Sequence, residues 1–508
     1  MFEGIKTKMK GFGGNFGGRT SNHVAASRGR RAMSMPTKKT SPNTALNYEL
    51  KLIQERSRDA VRNRAFDKNA IRKLVSHEIG SGIKPKFCIE DEEINKAVTE
   101  LWEKSCKELV GEGIGNFYAG QTLISRGRNE SGEVFIRRRR RPSSSNLAVP
   151  MQIQIIESEF LDSTYDKTLD NGNIIRAGIE LNRRGDRVAY WFFKTHPNDK
   201  TIFGNDSNER VRILARDVIH HYIPLRAGQL RGAPINTASL FKSANLDQYD
   251  DFELERKKNH ASFTGTIEKD AYRDTDGRLL DITGEPYPDD VEVPSVGLDS
   301  GVIVELADGE RLNLANAETG GEFYVDYMRQ QLRTIAADYG IMYEVVTGDW
   351  SQLNDRLFRA ASDDFKRHMS AIQEIYMISQ VCEVVQGWWI DAIVASGRLS
   401  LPNFAQDRDQ YMACDWIPQG WTYVHPLQDA QAAEKLIELG ITTRDKEARK
   451  HSMDAAKVQD ENIKYRARQA ELEAEQGLTN EQDETDGEDL DETDEDSDTD
   501  IQRSTPSR

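Results

Sequence analysis

Paired cysteines are missing from this chain. Its four cysteines, Cys88, Cys106, Cys382 and Cys414, stand far apart with no metal-ligand or disulfide spacing between them. That excludes a zinc-ribbon or disulfide-stapled architecture and fits a reducing compartment. Also missing is any Gly-x-x-x-x-Gly-Lys-Ser/Thr loop, which excludes a P-loop triphosphatase. No dinucleotide fingerprint, no His-Glu-x-x-His pair and no serine-hydrolase elbow occurs. Long hydrophobic runs are absent too. The most apolar stretch, Met377 to Gly397, is interrupted by Glu383, Gln386 and Asp391, whereas a membrane span needs ~20 apolar residues. No membrane partner is expected. Met1 to Lys10 is charged where a signal peptide would be apolar.

What remains is length and charge. A chain of 508 residues supports more than one domain and a sizeable core. Its net charge of −16 is concentrated: Glu481 to Asp500 holds thirteen acidic residues and no Lys or Arg, and without them −16 becomes −3. The acidity therefore belongs to a tail, which is too polar to bury a core and is expected to be disordered. The Gly-, Arg- and Ser-rich start of the chain carries the same expectation.

The most informative stretch runs from Asp217 to Lys258. An apolar strand, Val218 to Ile223, enters a shaped turn carrying Arg226, Gly228, Gln229, Arg231, Gly232 and Pro234. Asn236 or Thr237 can then cap a helix to about His260, with Ala238, Phe241, Ala244, Tyr249 and Phe252 on its apolar side. Acids (Asp247, Asp250, Asp251, Glu253, Glu255) precede bases (Arg256, Lys257, Lys258), as the helix dipole favours.

Upstream, Ala45 to Glu78 and Asp91 to Val110 have helical spacing, and Phe117 to Ile223 has the texture of strands, with a hairpin around Arg184-Gly185-Asp186. The basic run Arg137 to Arg141 is read as a solvated or subunit-facing sheet edge, with phosphate contact as the alternative. His220 and His221 are adjacent on a strand and face opposite sides, so they are expected to be structural. Downstream, Thr264 to Gly321 is β-rich, with a strand candidate at Gly301 to Leu306. Phe323 to Tyr339 is a helix closed by Gly340. Asp355 to Ser396 is a long helix burying Ala361, Phe365, Met369, Ile372, Tyr376, Val384, Trp388 and Ile393, with Gly387 as a possible kink. Asp289-Asp290 and Asp363-Asp364 are adjacent pairs, a poor arrangement for a metal site, so no metal, cofactor or catalytic residue is expected.

Arg-Ala-Gly-Gln-Leu-Arg-Gly-Ala-Pro at 226–234 resembles the signature of the lambda-type portal proteins of tailed phages. So do Arg56-Ser57-Arg58-Asp59 with Arg62-Asn63, Gly178-Ile179-Glu180, Arg333-Thr334-Ile335-Ala336-Ala337 with Gly340 to Glu344, and Cys414 to Pro418. The resemblance covers most of Ala45 to Lys450. It departs at Asp355-Arg356, where the family has consecutive serines, and at His425, where it has Asp.

The resemblance implies an α+β portal-type fold. Its parts would be a flexible arm (1–44), a β-rich wing (45–235), a first stem helix (236–262), a small α/β clip (263–321) and a second stem helix (322–346). A tunnel loop (347–354), a long wing/crown helix (355–400), a helical C-terminal region (401–475) and a disordered acidic tail (476–508) would follow. It implies a non-enzymatic, dodecameric homo-oligomeric ring at one capsid vertex of the virion, assembled in the host cytoplasm. Double-stranded viral DNA would pass through it in packaging and ejection. Partners would be the terminase large subunit, head-completion connector proteins and the major capsid protein. Thr347, Gly348, Asp349, Trp350, Ser351 and Gln352 would face the DNA. The alternatives are a metal-dependent DNA nuclease using Asp349 or Asp363, and a scaffold or adaptor without a pore.

Overall fold

The computed structural model describes residues 40–111, 113, 115–197, 209–262, 265–269, 272–273, 275, 279–280, 284–285, 310–314, 323–421 and 426–475. The acidic tail, most of the N-terminal arm, the Gly301–Leu306 strand candidate, Asp289-Asp290 and His425 lie outside them. The chain divides into two compact units, one of residues 1–83 and 87–416, the other of 84–86 and 417–508.

The larger unit is built on two antiparallel sheets and a helical layer. Met151–Ile156, Glu133–Arg140 and Val218–Tyr222 make a three-stranded sheet in that order. Lys167–Thr168, Ile174–Arg176, Ile179–Leu181, Arg187–Phe193 and Arg210–Leu214 make a five-stranded meander. Successive residues of a strand face opposite sides, so Glu133–Arg140 serves two cores at once. Val134 and Ile136 join Trp102, Phe117, Trp388 and Trp389 in a helical core. Phe135 joins Tyr190 and Phe192 over the second sheet. The hairpin around 182–186 is present, with Ile179 opposite Tyr190.

Several expectations need correction. The region 45–78 is three helices, Pro42–Asn47, Leu50–Asn63 and Ala65–Glu78, divided at Tyr48-Glu49 and by the extended Arg64. Phe117–Ser131, expected in strands, is a helix capped by the Asn116 side chain and ended by Gly132 with φ 84°. Its Gly120 and Gly127 are not breakers: side chains there would press on Val110 and Val134. The arginine run is a sheet edge only in part. Through Arg137 it lies in the central strand, paired on both sides, and Arg138 to Arg140 remain paired to Met151–Ile153.

Two long helices, Leu240–Ser262 and Tyr324–Tyr339, pack side by side and antiparallel. Tyr249 stacks on Tyr324 at 6.1 Å and meets the Tyr327 ring edge-on at 5.1 Å, while the Tyr324 hydroxyl donates to Asp250. Leu240 and Leu246 are buried, but Phe241 and Phe252, expected on the apolar side, are about two-thirds exposed at 69% and 67%. Gly265–Lys269 pairs with Glu310–Leu314 between the two helices in sequence.

Helix continues from 355 to 396 as Asp355–Ala371, a π-helical Ile372–Cys382 and Glu383–Ser396. Bonds of the i→i+5 type take more residues per turn than an α-helix. The buried stripe therefore slips one place, from Phe365 and Met369 to Met377, Val381, Val385 and Trp389, and leaves Val384 exposed. This π segment, not Gly387, is where the helix departs from α geometry. No described helix is long and apolar enough to cross a membrane.

In the smaller unit, Pro426–Glu438, Arg444–Lys450 and Ala455–Glu475 are helices. The Lys86 ammonium lies 2.8 Å from Asp454.

Candidate functional site: a buried motif loop and an exposed loop

The loop from Arg226 to Pro234 is held from below by Glu133, a carboxylate with no exposed side-chain surface. The Arg231 guanidinium donates to Glu133 Oε1 through Nε at 2.8 Å and also through Nη2, and Nη1 donates to the Ala177 carbonyl at 3.2 Å. The Gly232 amide donates to Oε2 at 2.9 Å, and His220 Nε2 lies 2.9 Å from the same oxygen. Burial alone would raise the Glu133 pKa, but Arg231 and His220 outweigh it and hold the carboxyl at about 2. Burial pushes His220 down to about 4, so its ring is neutral at physiological pH.

Each motif residue has a structural duty. Gly228 has φ 77°, the left-handed turn that glycine allows. Gln229 Oε1 accepts from the Leu225 and Arg226 amides at 3.0 and 3.2 Å, and its Nε2 donates to the Arg231 carbonyl at 2.8 Å. Asn43 clamps the outside of the turn, donating to the Gly228 carbonyl at 2.9 Å and accepting from the Leu230 amide at 2.8 Å. A Cβ on Gly232 would overlap the Gly132 carbonyl where the two backbones cross. Arg226 reaches out to the Thr40 carbonyl at 3.3 Å, and the Pro234 carbonyl accepts from the Thr237 hydroxyl at 2.6 Å.

Asn236, with Thr237 one of the two candidate caps of the first long helix, is a fully buried junction. Its Nδ2 donates to the Tyr339 hydroxyl at 3.0 Å, and Ser57 Oγ lies 2.8 Å from its Oδ1. Tyr339 in turn donates to Asp67 at 2.6 Å, as does Ser243 from the first long helix. Burial, then Asp67, drives the Tyr339 phenol far above its ordinary range. The start of one long helix, the end of the other and two N-terminal helices thus share one hydrogen-bonded cluster. Arg58 of the same N-terminal motif bonds Ser131 at 2.9 Å and Glu159 at 2.7 Å.

His221 points the other way from His220, towards Gln380 at 3.1 Å. Both histidines are bonded to protein groups, and among the described residues neither falls in a cluster with metal-ligand spacing. Among the described residues, Glu157, Glu159 and His196 do fall within metal-binding distance of one another. Arg58 lies 3.4 and 2.7 Å from the two carboxylates, so one cation is already shared between them.

The loop after the second long helix differs. Gly340 ends that helix at φ 67°, and a short helix, Tyr343–Thr347, leads to Gly348 at φ 75°. Asp349 then organises a local turn, accepting from the Ser351 hydroxyl at 2.6 Å, the Ser351 amide at 3.2 Å and the Tyr343 hydroxyl at 3.2 Å. The Ser351 hydroxyl above all holds the Asp349 carboxyl below the usual range. Trp350 is half exposed, with its ring edge-on to Phe358 at 6.0 Å. Asn354 caps the next helix through the Leu357 amide at 2.9 Å. From Tyr343 to Asp355 there is no Lys or Arg. The nearest cation bound to the loop is Arg329, 3.6 Å from Asp349.

A family profile described as "Phage portal protein, lambda family" matches residues 28–373. The chain is 28% identical over 295 residues to the "Probable portal protein" of Halomonas phage phiHAP-1, covering 56% of this chain and 54% of that one. It is 24% identical over 455 residues to "Portal protein B" of Escherichia phage lambda, covering 79% and 81%. The match thus spans about half the length of the Halomonas phage relative. Among solved structures, the chain is similar to one titled "Neck of native GTA particle computed with C12 symmetry". That likeness has a TM-score of 0.44 and 13% identity over 77% of this chain and 90% of that one.

Proposed function

The chain belongs to the lambda family of phage portal proteins, and from that premise we propose that it assembles as a ring, twelve-fold as the resemblance to that family implies, at one vertex of a capsid. Viral DNA passes through its bore during packaging and ejection. In this reading the protein is a conduit and not an enzyme, and the β-rich tip between the two long helices receives the terminase large subunit and later the connector proteins. The ring meets the major capsid protein in the virion, after assembly in the host cytoplasm.

The observation that carries the reading is the antiparallel helix pair followed by an exposed loop without a cation. Tight neutralisation of phosphates holds DNA in place. An acidic and neutral surface at Thr347, Gly348, Asp349, Trp350, Ser351 and Gln352 would instead let a duplex slide, so this loop is assigned to the bore.

Negative-stain images of the purified full-length protein test the ring, and a population without a central hole ends the proposal. Deleting Gly348 to Gln352 tests the loop. The variant is expected to assemble but to package or retain DNA poorly, and normal packaging and retention would remove the loop from the bore. Metal-dependent nuclease activity lost on Asp349→Ala or Asp363→Ala would replace the conduit with an enzyme.

A further inference from the structure

Five consecutive arginines, Arg137 to Arg141, have no duty in the reading above. Strand alternation divides them. Arg138 and Arg140 share the face of Val134 and Ile136, toward the long helix, and Arg137 and Arg139 share the face of Phe135. On the helix side a cleft of about 430 Å³ opens, lined by Arg138, Arg140, Arg141, Ser143, Trp388 and Asp391 among others.

Charge in this cleft does not balance. Arg138 is committed: it donates to Asp217 through Nε at 2.9 Å and Nη2 at 2.6 Å, and its guanidinium lies 5.4 Å over the Trp388 ring. Arg140 reaches the same carboxylate only at 3.8 Å and is 71% exposed. Arg141 bonds the neutral Gln152 at 2.9 Å and, among the described residues, has no carboxylate within ion-pairing distance. The one acid lining the cleft, Asp391, is 3.2 Å from Arg408. Two carboxylates, Asp217 and Asp391, therefore serve four guanidiniums; Arg140 has only a long, shared hold on Asp217, and Arg141 is held by no carboxylate among the described residues. Behind them Arg137 is pushed below its ordinary range by burial and by Arg139.

We propose that this cleft binds the phosphodiester backbone of double-stranded DNA, a holding site distinct from the 347–352 loop. The proposal rests on the conduit reading for the presence of DNA. Guanidinium forks match phosphate oxygens in a plane, and the exposed Ser143 adds a hydroxyl. Trp388 is 7% exposed, so no aromatic face is free to stack a base, which argues against a single strand. The contact is one that positions a backbone and reads no sequence. A protein partner would want apolar area at the centre of its interface, and the two large apolar residues of this lining, Met151 and Trp388, are buried, whereas Arg140, Arg141 and Ser143 are exposed.

Placement agrees. Asp391 follows Asp355 by 36 residues of helix, roughly 50 Å along the axis. A firm grip at this end of the helix does not oppose free passage at the loop beside the other end.

The test is fluorescence anisotropy with full-length protein and a short labelled duplex across a salt series. Arg140→Glu with Arg141→Glu is expected to weaken binding at least ~10-fold and to reduce the salt slope by about two. Arg140→Lys with Arg141→Lys should keep most of the affinity. Unchanged affinity and slope in the glutamate variant overturn the proposal. Binding of a poly-glutamate peptide but not the duplex would make the cleft a carboxylate site and overturn it equally. The same preparations are imaged: rings with unaltered DNA binding sink only this inference, and absence of rings in the unsubstituted protein sinks the conduit reading itself.

Discussion

The motif loop at 226–234 and the loop at 347–352 sit at the entry of the first long helix and the exit of the second, and they are built on opposite principles. The first is tied to residues distant in sequence (Asn43, Gly132, Glu133, Ala177) through a buried carboxylate and its cation. The second satisfies itself with bonds between neighbours, and among the described residues its one distant ionic partner is Arg329. The lesson is that the most recognisable residues of this chain hold its framework together. The stretch assigned to the work of the conduit is nearly free of structural obligation.

The comparison breaks most visibly at Arg231. Arg231→Ala leaves Glu133 charged and buried without its main partner, which should cost ~3–5 kcal/mol in urea or thermal unfolding. A loss below ~1 kcal/mol would mean the motif is not structural. Next comes pH. His220 is held at about 4 against an ordinary 6.5, so between those values the unfolded chain takes a proton that the folded one refuses, and stability falls on acidification. Glu133, at about 2 against 4.5, contributes fully above 4.5 and loses that contribution as pH drops towards 2. Unfolding midpoints should thus decline from pH 6.5 downwards. His220→Gln should flatten the upper part without abolishing it, because His221 is depressed too. A midpoint unchanged between pH 6.5 and 4 would contradict the buried neutral ring. Smallest is Trp350→Ala, where a half-exposed ring on a local turn should change stability by about 1 kcal/mol or less. A larger loss would erase the contrast between the loops.

Much of the architecture was legible in the sequence because local chemistry dictates it. The strand Val218–Tyr222, the helix Tyr324–Tyr339 with its glycine end and the hairpin at 182–186 all follow from period and turn residues. The misses have physical causes. Phe117–Ser131 was hidden because Gly120 and Gly127 mimic breakers, while packing against Val110 and Val134 requires their smallness. Val384 was placed inside because a π segment cannot be seen in a period of 3.6. Phe241 and Phe252 fall on the apolar side by period, yet both are about two-thirds exposed, and Arg56 lies 5.2 Å over the Phe241 ring. The Glu133–Arg231 pair was invisible for another reason: its members are 98 residues apart, and only the fold brings them together.

The shared cluster of Asn236, Tyr339, Asp67 and Ser243 has a mechanical consequence. The long antiparallel pair has a single foot. At that foot hydroxyl, amide and carboxylate meet in one buried joint. The two rods must therefore lean together like a lever on a pinned base, and any tilt is delivered directly to the N-terminal helices in which that pin is seated.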